Sequence, residues 1–347
     1  MKSTNFSDVK AGYDIIVVGA GAAGCSFLNH IDNRFRVLCI DGKKFPRFKA
    51  CSGIVVKAGK DYLKDEDVPD WVFADKKPLD INYLDLDNNL KSYSKKGFFN
   101  TWRKNLDKWL FEKNKNNSIE FISECKFLDF YYTSDKKFIV VLFESNGQVK
   151  SAVCKYLIGA DGANSFVRKK ISNKSIRYYV AIQEIINQKF NDDAYFIFDS
   201  TVTDFYGWVI PKGEQLEIGC AVEPYKAKEK YDFFKEKIQK KFNINGNGKL
   251  ESALILRPEK FSDIILGDKQ VLLCGEAAAL ITPSAAEGIS NALRSGKACA
   301  EAINKKFGKD VLATYKEKSE AILNRLKEKF EKSKLISDKG NRKKLFT

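Results

Sequence analysis

Tyr13-Asp14-Ile15-Ile16-Val17-Val18-Gly19-Ala20-Gly21-Ala22-Ala23-Gly24 decides the architecture of this 347-residue chain. Its first half is a short apolar run rich in β-branched residues, the pattern of a strand buried on both faces. Its second half is Gly-x-Gly-x-x-Gly, followed by a helix-like stretch from Cys25 to His30. A second apolar run, Arg36-Val37-Leu38-Cys39-Ile40, ends at Asp41, 17 residues after Gly24. Strand, glycine turn, helix, strand and terminal acid make a β-α-β unit of the dinucleotide-binding kind. Gly19 permits the tight turn, Gly21 lets backbone approach a pyrophosphate, and Gly24 allows close helix–strand packing. The helix N-terminus favours the anion, and Asp41 can accept hydrogen bonds from an adenosine ribose.

Two further segments bring strand ends to the same ligand. Tyr156-Leu157-Ile158-Gly159-Ala160-Asp161-Gly162 places the Asp161 carboxylate at a strand's carboxyl end, with Arg168 after it. Val271-Leu272-Leu273-Cys274-Gly275-Glu276 ends in Gly-acid and runs through a Pro283-punctuated loop to Gly288-Ile289, where a helix begins. No other glycine cluster has such a setting. Gly246-Asn247-Gly248 follows no buried strand, so a second, dedicated nicotinamide domain is not expected.

Composition narrows the chemistry. Hydrophobic residues make up 44% and aromatics 13%, which excludes wholesale disorder. The only histidine, His30, reads as an ordinary helix-end residue, so multi-His zinc sites cannot be built. Cys25, Cys39, Cys51, Cys125, Cys154, Cys220, Cys274 and Cys299 form no Cys-x-x-Cys pair, which argues against zinc ribbons and dithiol redox centres. No metal site is expected. Met1 to Asp14 lacks an apolar signal region, and no apolar stretch reaches the roughly 18 residues of a membrane span. The expected location is cytoplasmic, with peripheral contact at the inner face of the membrane as a further expectation. The net charge of +15 suits an anionic membrane or an acidic protein partner, although Lys and Asp or Glu are interleaved along most of the chain. No specific nucleic-acid partner is expected. Residues 301–347 are the exception to the interleaving, with 14 Lys and Arg against 7 Asp and Glu.

The remaining pattern predicts a hairpin from Leu79–Leu86 and Leu90–Ser94, a helix from Trp102 to Phe111, and a meander of Ile119–Tyr132, Phe138–Glu144 and Val149–Ile158. Tyr178–Ile186, Ala194–Phe198, Phe205–Ile210 and Gln215–Val222 read as a second, mostly antiparallel sheet. Tyr231, Phe234, Ile238 and Phe242 lie at helical spacing. A last helix from about Val311 carries the stripe Leu312, Tyr315, Ile322, Leu326 and Phe330, flanked by Lys and Arg. That stripe either packs on the body of the protein or accompanies a basic face resting on an anionic bilayer.

The three strand-end segments resemble the FAD fingerprint, the Asp-Gly motif and the Gly-Asp motif of flavoproteins with the p-hydroxybenzoate hydroxylase fold. Within that group the chain is similar to the geranylgeranyl reductase family over about residues 12–305. The likeness rests on Pro283-Ser284-Ala285-Ala286-Glu287-Gly288-Ile289-Ser290-Asn291-Ala292-Leu293-Arg294-Ser295-Gly296, on Pro46-Arg47-Phe48-Lys49-Ala50-Cys51-Ser52-Gly53, and on Phe205-Tyr206-Gly207-Trp208-Val209-Ile210-Pro211-Lys212. Hydroxylases usually carry Asp-Ala where this chain has Ser295-Gly296. The chain departs from the family at Glu276 for Asp, Ala279 for Gly or His, Ala286 for Gly and Ser52 for Gly.

The resemblance implies an α/β fold, with a Rossmann-like FAD-binding domain carrying a β-meander and a smaller substrate domain built on a mixed or antiparallel sheet. The expected boundaries are 1–60, 97–177 and 262–310 for the FAD domain, 61–96 and 178–261 for the substrate domain, and 311–347 for a C-terminal amphipathic helix and basic tail. FAD is the implied cofactor. Gly19, Gly21, Gly24 and Asp41 would hold its adenosine and pyrophosphate, and Arg103 its phosphate or ribityl groups. Cys125 would touch the adenine through its backbone. Asp161, Gly275 and Glu276 belong to the two further FAD motifs, with Glu276 at the ribityl and pyrophosphate region, and Gly288 and Ile289 would offer N–H groups to the flavin ring. Cys51, Tyr206 and Trp208 are the candidate catalytic residues. Cys51 would act as proton donor or flavin-tuning thiol, made electropositive by Arg47 and Lys49, and Tyr206 and Trp208 would line a flat apolar cavity. The implied activity is reduction of C=C bonds of an isoprenoid or related lipid, with electrons from transient NAD(P)H or a small acidic carrier. Two alternatives stay open: an FAD-dependent aromatic monooxygenase or halogenase-like enzyme, and a basic membrane- or nucleic-acid-associated protein with a vestigial flavin fold.

Overall fold

A computed structural model describes residues 10–64, 66–114 and 117–346. Residues 1–9, part of the Met1–Asp14 segment expected to lack an export signal, and Thr347 lie outside them. The Tyr13–Val18 run lies in the strand Lys10–Val18, where Ile15, Ile16 and Val17 have no exposed surface. That strand is flanked on both sides by parallel neighbours, Val37–Ile40 and Gln148–Gly159, which is why neither of its faces is polar. Ile119–Ile122 and Val271–Leu273 extend the parallel sheet on either side, and Gly267–Asp268 adds a short antiparallel edge.

The meander differs from the sequence expectation. The Ile119–Tyr132 run is two strands, broken near Glu124, whose φ is +53°. The first joins the parallel sheet beside Val37–Ile40. The second, Cys125–Tyr132, pairs with Ile139–Ser145, which pairs in turn with the first half of Gln148–Gly159. Strand Gln148–Gly159 therefore serves the meander with one end and the parallel sheet with the other. On the helical side, Ala22–His30 packs on Ile289–Lys306 at Gly296, where any Cβ would strike the Ala23 carbonyl.

The second sheet has the order Lys249–Leu256, Tyr178–Ile186, Gln215–Val222, Gly207–Lys212, Ala194–Phe198, Phe73–Asp85, Leu90–Thr101, Ile54–Val55. Only Ala194–Phe198 and Phe73–Asp85 pair in parallel. Lys249–Leu256 escapes sequence detection because, as an edge strand, it turns Leu250 and Leu254 to solvent. Helix Ala227–Phe242 covers one face with Tyr231, Phe234 and Ile238, packed on Val209, Ile218, Cys220 and Val222. The opposite face looks toward the first sheet's loops.

The C-terminal stripe spans two helices, Val311–Lys318 and Glu320–Ser337, that meet at Ser319. Tyr315, Ile322, Leu326 and Phe330 are buried, Leu312 is half-buried, and Tyr315 donates a hydrogen bond to the Leu273 carbonyl at 2.9 Å. The stripe thus packs on the body of the protein. The tail beyond it is not uniformly outward-facing either. Arg342, read from sequence as part of a basic tail, has no exposed side-chain surface and pairs with Asp85 and Asp87 in the hairpin of the second sheet. No helix among the described residues is long and apolar enough to cross a membrane.

Candidate active site

The glycine turn is tight enough to reserve its surface for a ligand. Gly19 has φ +98°, and a Cβ there would lie 2.5 Å from the Ala160 carbonyl oxygen. A Cβ on Gly24 would collide with the Gly19 carbonyl. Helix Ala22–His30 begins without a side-chain cap, so its first N–H groups have no intrahelical partner and favour an anion. Arg47 hangs over this turn. Its Nη2 lies 2.6 Å from where a Gly21 Cβ would be, and its Nε is enclosed without a hydrogen-bond partner. Arg47 and Arg103 share one carboxylate, Asp107, at 3.4 and 2.8 Å. Two guanidiniums thus share one acid beside the turn, and the Asp41 carboxylate is the second acid there. Sequence reading had placed Arg47 beside Cys51, whereas the structure aims it at the glycine turn.

Asp41 stands at the strand end and organises this region. Its Oδ2 accepts the Ala20 N–H at 2.8 Å and its Oδ1 the Lys43 N–H at 2.9 Å. Its carbonyl accepts the Cys125 N–H at 2.9 Å, which sets Cys125 beside it. Burial pushes the Cys125 thiol up to about 11, so it stays protonated at neutral pH. An uncapped helix start, close glycine backbone, an orphaned guanidinium nitrogen and a strand-end acid fit the adenosine and pyrophosphate of FAD.

The second and third motifs meet through Arg168, a residue to which sequence reading assigned no role. It is buried and donates to the Ala163 carbonyl at 2.6 Å and to the Glu276 and Ala277 carbonyls at 3.1 and 3.0 Å. Asp161 Oδ2 accepts the Phe166 N–H at 2.8 Å and so helps start helix Phe166–Ile171, while its Oδ1 is enclosed and unpaired. Burial raises the Asp161 carboxyl above its ordinary range. Glu276 does not point freely at a ligand. Its Oε1 accepts the Leu256 N–H from the second sheet at 2.8 Å, and its Oε2 lies 3.6 Å from Lys49 Nζ. The extra methylene relative to Asp is what reaches that sheet. Gly275 donates its N–H to Ser295 Oγ at 2.9 Å. Ser295 and Gly296 thus secure this turn and the helix packing.

Helix Ile289–Lys306 starts after Gly288, also without a side-chain cap, which leaves its first N–H groups open toward a ring placed there. Ala286 holds φ +44°, a left-handed conformation costly for a residue with a Cβ. Glu287 Oε2 accepts from Thr282 Oγ1 at 3.0 Å and from Arg325 Nη2 at 2.9 Å, tying the loop to the C-terminal helix.

Cys51 is half-buried and lies against the Arg103 guanidinium. Burial opposes the charge on Arg103, but Asp107 and Cys51 outweigh it and raise the guanidinium further. Lys212, at the end of the Tyr-x-Trp motif strand, is buried. Its Nζ donates to the Ser52 and Thr101 carbonyls and to Asn100 Oδ1 at 2.8 Å, which pins the Cys51 loop to the second sheet. Burial lowers its pKa. Tyr206 and Trp208 sit edge to face, with ring centroids 6.2 Å apart. Both are buried on the face opposite helix Ala227–Phe242, together with Phe198, Phe205 and Ile210. The Tyr206 hydroxyl donates to the Ala285 carbonyl at 2.7 Å, and burial raises its pKa, so it is a poorer acid than an ordinary tyrosine. Trp208 Nε1 donates to Glu217 Oε1 at 2.7 Å, and burial lifts the Glu217 carboxyl to about 7 despite Lys212 nearby.

The structure therefore brings the predicted residues into two groups joined by loops. Gly19, Gly21, Gly24, Asp41, Arg103 and Cys125 surround the first turn, with Cys51 against Arg103, and Tyr206 and Trp208 are buried on the second sheet; Gly288 and Ile289 open helix Ile289–Lys306, with Ile289 packed in the first sheet's core. Asp161, Gly275 and Glu276 hold the loops between them. Arg168, Lys212 and Glu217 were missed because a charged residue carries no local sign of a distant partner, and Arg168 reads as one of the basic run Arg168-Lys169-Lys170. Surface grooves of about 360 and 410 Å³ lie elsewhere, around helix Lys57–Leu63 and beside Arg294 and Lys297, and none of the candidate residues lines them.

This arrangement defines an FAD-dependent flavoprotein with the p-hydroxybenzoate hydroxylase-like fold. The chain belongs to the FAD binding domain family FAD_binding_3, which it matches over residues 86–329. It is 28% identical over 294 residues to Protein CbrA of Escherichia coli K12, covering 82% of each chain. Among solved structures it is similar to a geranylgeranyl bacteriochlorophyll reductase-like protein from Thermoplasma acidophilum, with TM-score 0.81, 18% identity, and coverage of 96% of this chain and 90% of that one. It is also similar to PqsL of Pseudomonas aeruginosa, a probable FAD-dependent monooxygenase, with TM-score 0.72, 13% identity, and coverage of 97% and 100%. The flavin-dependent halogenase CmlS aligns with TM-score 0.70 and 18% identity over 91% of this chain and 62% of that one.

Proposed function

We propose that this flavoprotein is a reductase that saturates C=C bonds of an isoprenoid or related lipid. The observation that carries the reading is the buried aromatic face of Tyr206 and Trp208 beside the half-buried Cys51 thiol. Bound FAD, once reduced, supplies the hydride. The chain's residues hold and orient. Arg47, Arg103 and the glycine turn neutralise phosphate, the uncapped start of helix Ile289–Lys306 offers N–H groups to the ring, and the aromatic face excludes water from an apolar chain. Cys51, against Arg103, is the proton donor of this reading, because the Tyr206 hydroxyl is already committed to the Ala285 carbonyl.

The test is anaerobic. Dithionite-reduced enzyme is mixed with prenyl lipids and flavin reoxidation is followed. The expected result is reoxidation with a saturated product. Cys51→Ala should keep FAD bound while slowing reoxidation on the order of 10²-fold. An oxygen-dependent hydroxylated or halogenated product, with no anaerobic reoxidation, would replace this reading by the monooxygenase or halogenase one, for which PqsL and CmlS give the structural precedent. The reading includes an external electron donor, NAD(P)H or a small acidic carrier steered by the +15 charge, and peripheral contact with an anionic membrane through exposed lysines such as Lys327 and Lys343. Each basic residue near such a surface contributes about 1 kcal/mol, so attachment should be weak and lost at high salt.

A further inference from the structure

The face of the second sheet opposite helix Ala227–Phe242 is not uniformly apolar. Three contacts bring the first sheet's loops down onto it: Leu256 N–H to Glu276 Oε1, the Tyr206 hydroxyl to the Ala285 carbonyl, and Lys212 Nζ to the Ser52 carbonyl. Between these contacts the sheet is built from small residues. Ala181 lies in register with Ala221 on one side and Ala253 on the other, and Gln183 with Gly219 and Glu251. Gly219 pairs with Trp208, whose indole occupies the space a Cβ on Gly219 would need. The result is a shallow floor with Trp208 lying across it.

Three acceptors stand on that floor. Gln183 is only 2% exposed, yet its Oε1 has no hydrogen-bond partner. Its amide group reaches Glu251, so the oxygen is the end left over. Glu251 Oε2 is likewise enclosed and unpartnered. Glu217, on the neighbouring row opposite Ile185, takes the indole N–H on one oxygen. Enclosed acceptors without donors are costly; amide oxygens accept only, and so do the carboxylates once ionised, which for Glu217 means above about pH 7. A group that donates hydrogen bonds is what such a floor binds. A phosphate or carboxylate there would meet the Glu251 oxygen already short of a donor, with Lys249 as the cation beside it.

We infer that the ligand of this floor carries a hydroxyl or ammonium group that docks on Gln183, Glu251 and Glu217, and that anionic head groups are rejected. The inference rests on the proposed lipid-reductase reading only for the ligand's tail, and it commits the head group. The test uses the full-length FAD-loaded protein and the flavin's visible spectrum as the binding signal. One probe series is geraniol, geranylamine and geranyl phosphate, and the other is benzyl alcohol, benzylamine and benzoate. In whichever series binds, the alcohol or amine should bind at least about 10-fold tighter than the anion. Gln183→Leu and Glu251→Gln should each weaken alcohol binding about 10-fold with FAD content unchanged. A benzyl series that follows the ranking beside a silent geranyl series would keep the donor-seeking floor and remove the isoprenoid reading. Equal affinity for anion and alcohol, or variants indistinguishable from wild type, would mean that water satisfies these acceptors and would overturn the inference. So would the absence of any spectral change in both series at millimolar probe.

Discussion

Gly21 and Gly24 look equivalent in the fingerprint but meet different neighbours. A side chain on Gly24 runs into the Gly19 carbonyl, whereas one on Gly21 meets the far end of the long Arg47 side chain. Gly21→Val is therefore expected to fold and lose FAD, giving a soluble, colourless protein. Gly24→Val is expected not to fold. Circular dichroism together with flavin absorbance separates the outcomes, and a yellow Gly21→Val would refute the assignment of the turn to the pyrophosphate. Glu217 carries a second expectation. Its carboxyl lies near 7 in the folded chain against an ordinary 4.5, so the folded state holds its proton longer than the unfolded one. That penalises folding as pH rises from about 4.5 through about 7 and stays constant above, to the order of 3 kcal/mol. Glu217→Gln keeps an acceptor for Trp208 and removes the titration. Its melting temperature should exceed wild type at pH 8 by more than at pH 5, and an equal difference at both pH values would refute the buried-acid account.

The C-terminal segment shows what happens when a basic stretch meets specific partners. Arg342 Nε donates to Asp85 Oδ2 at 3.1 Å, its Nη2 pairs with Asp87, and its guanidinium lies 5.4 Å from the Phe198 ring centroid. Asn88 adds a hydrogen bond to the Lys339 carbonyl at 2.8 Å. The hairpin turn of the second sheet is thereby hooked to the end of the chain, some 250 residues away. Arg342→Met leaves the buried Asp85 carboxylate without its counter-charge. Thermal or urea unfolding should show a loss of about 3–5 kcal/mol, partly recovered by adding Asp85→Asn. No loss would show that the hook contributes nothing to stability. Deleting residues 339–347 removes the same contact, so a membrane test is cleaner with Lys327→Ala and Lys343→Ala, both on exposed positions.

The two sheets are joined largely through the loops that also carry the cofactor residues. Glu276 bonds the edge of the second sheet, Tyr206 bonds the loop before Gly288, and Lys212 bonds the loop after Cys51. A ligand held by those loops should stabilise the whole chain. Removing FAD is expected to lower the melting temperature on the order of 5 °C, restored by free FAD at about 100 times its dissociation constant. An unchanged transition on depletion and reconstitution would place the flavin outside the cooperative unit.

Patterns confined to a few neighbouring residues needed no folded structure to be recognised. The buried strand, the glycine turn and Asp41 announce a dinucleotide fold because turn geometry and strand burial are local requirements. Tyr178–Ile186, Ala194–Phe198 and Gln215–Val222 follow from their apolar runs for the same reason. The edge strand Lys249–Leu256 stayed hidden because its exposed leucines break the inside–outside alternation. The roles of Arg47, Arg168, Lys212 and Arg342 were equally hidden. A buried cation is stable only beside its acceptors, and those come from segments tens to hundreds of residues away. Local chemistry could announce a dinucleotide, and the resemblance of three motifs implied that it is FAD. Which charges face it, which brace its loops and which lock the chain's end are set by long-range packing, since each depends on partners that only folding brings within hydrogen-bond distance.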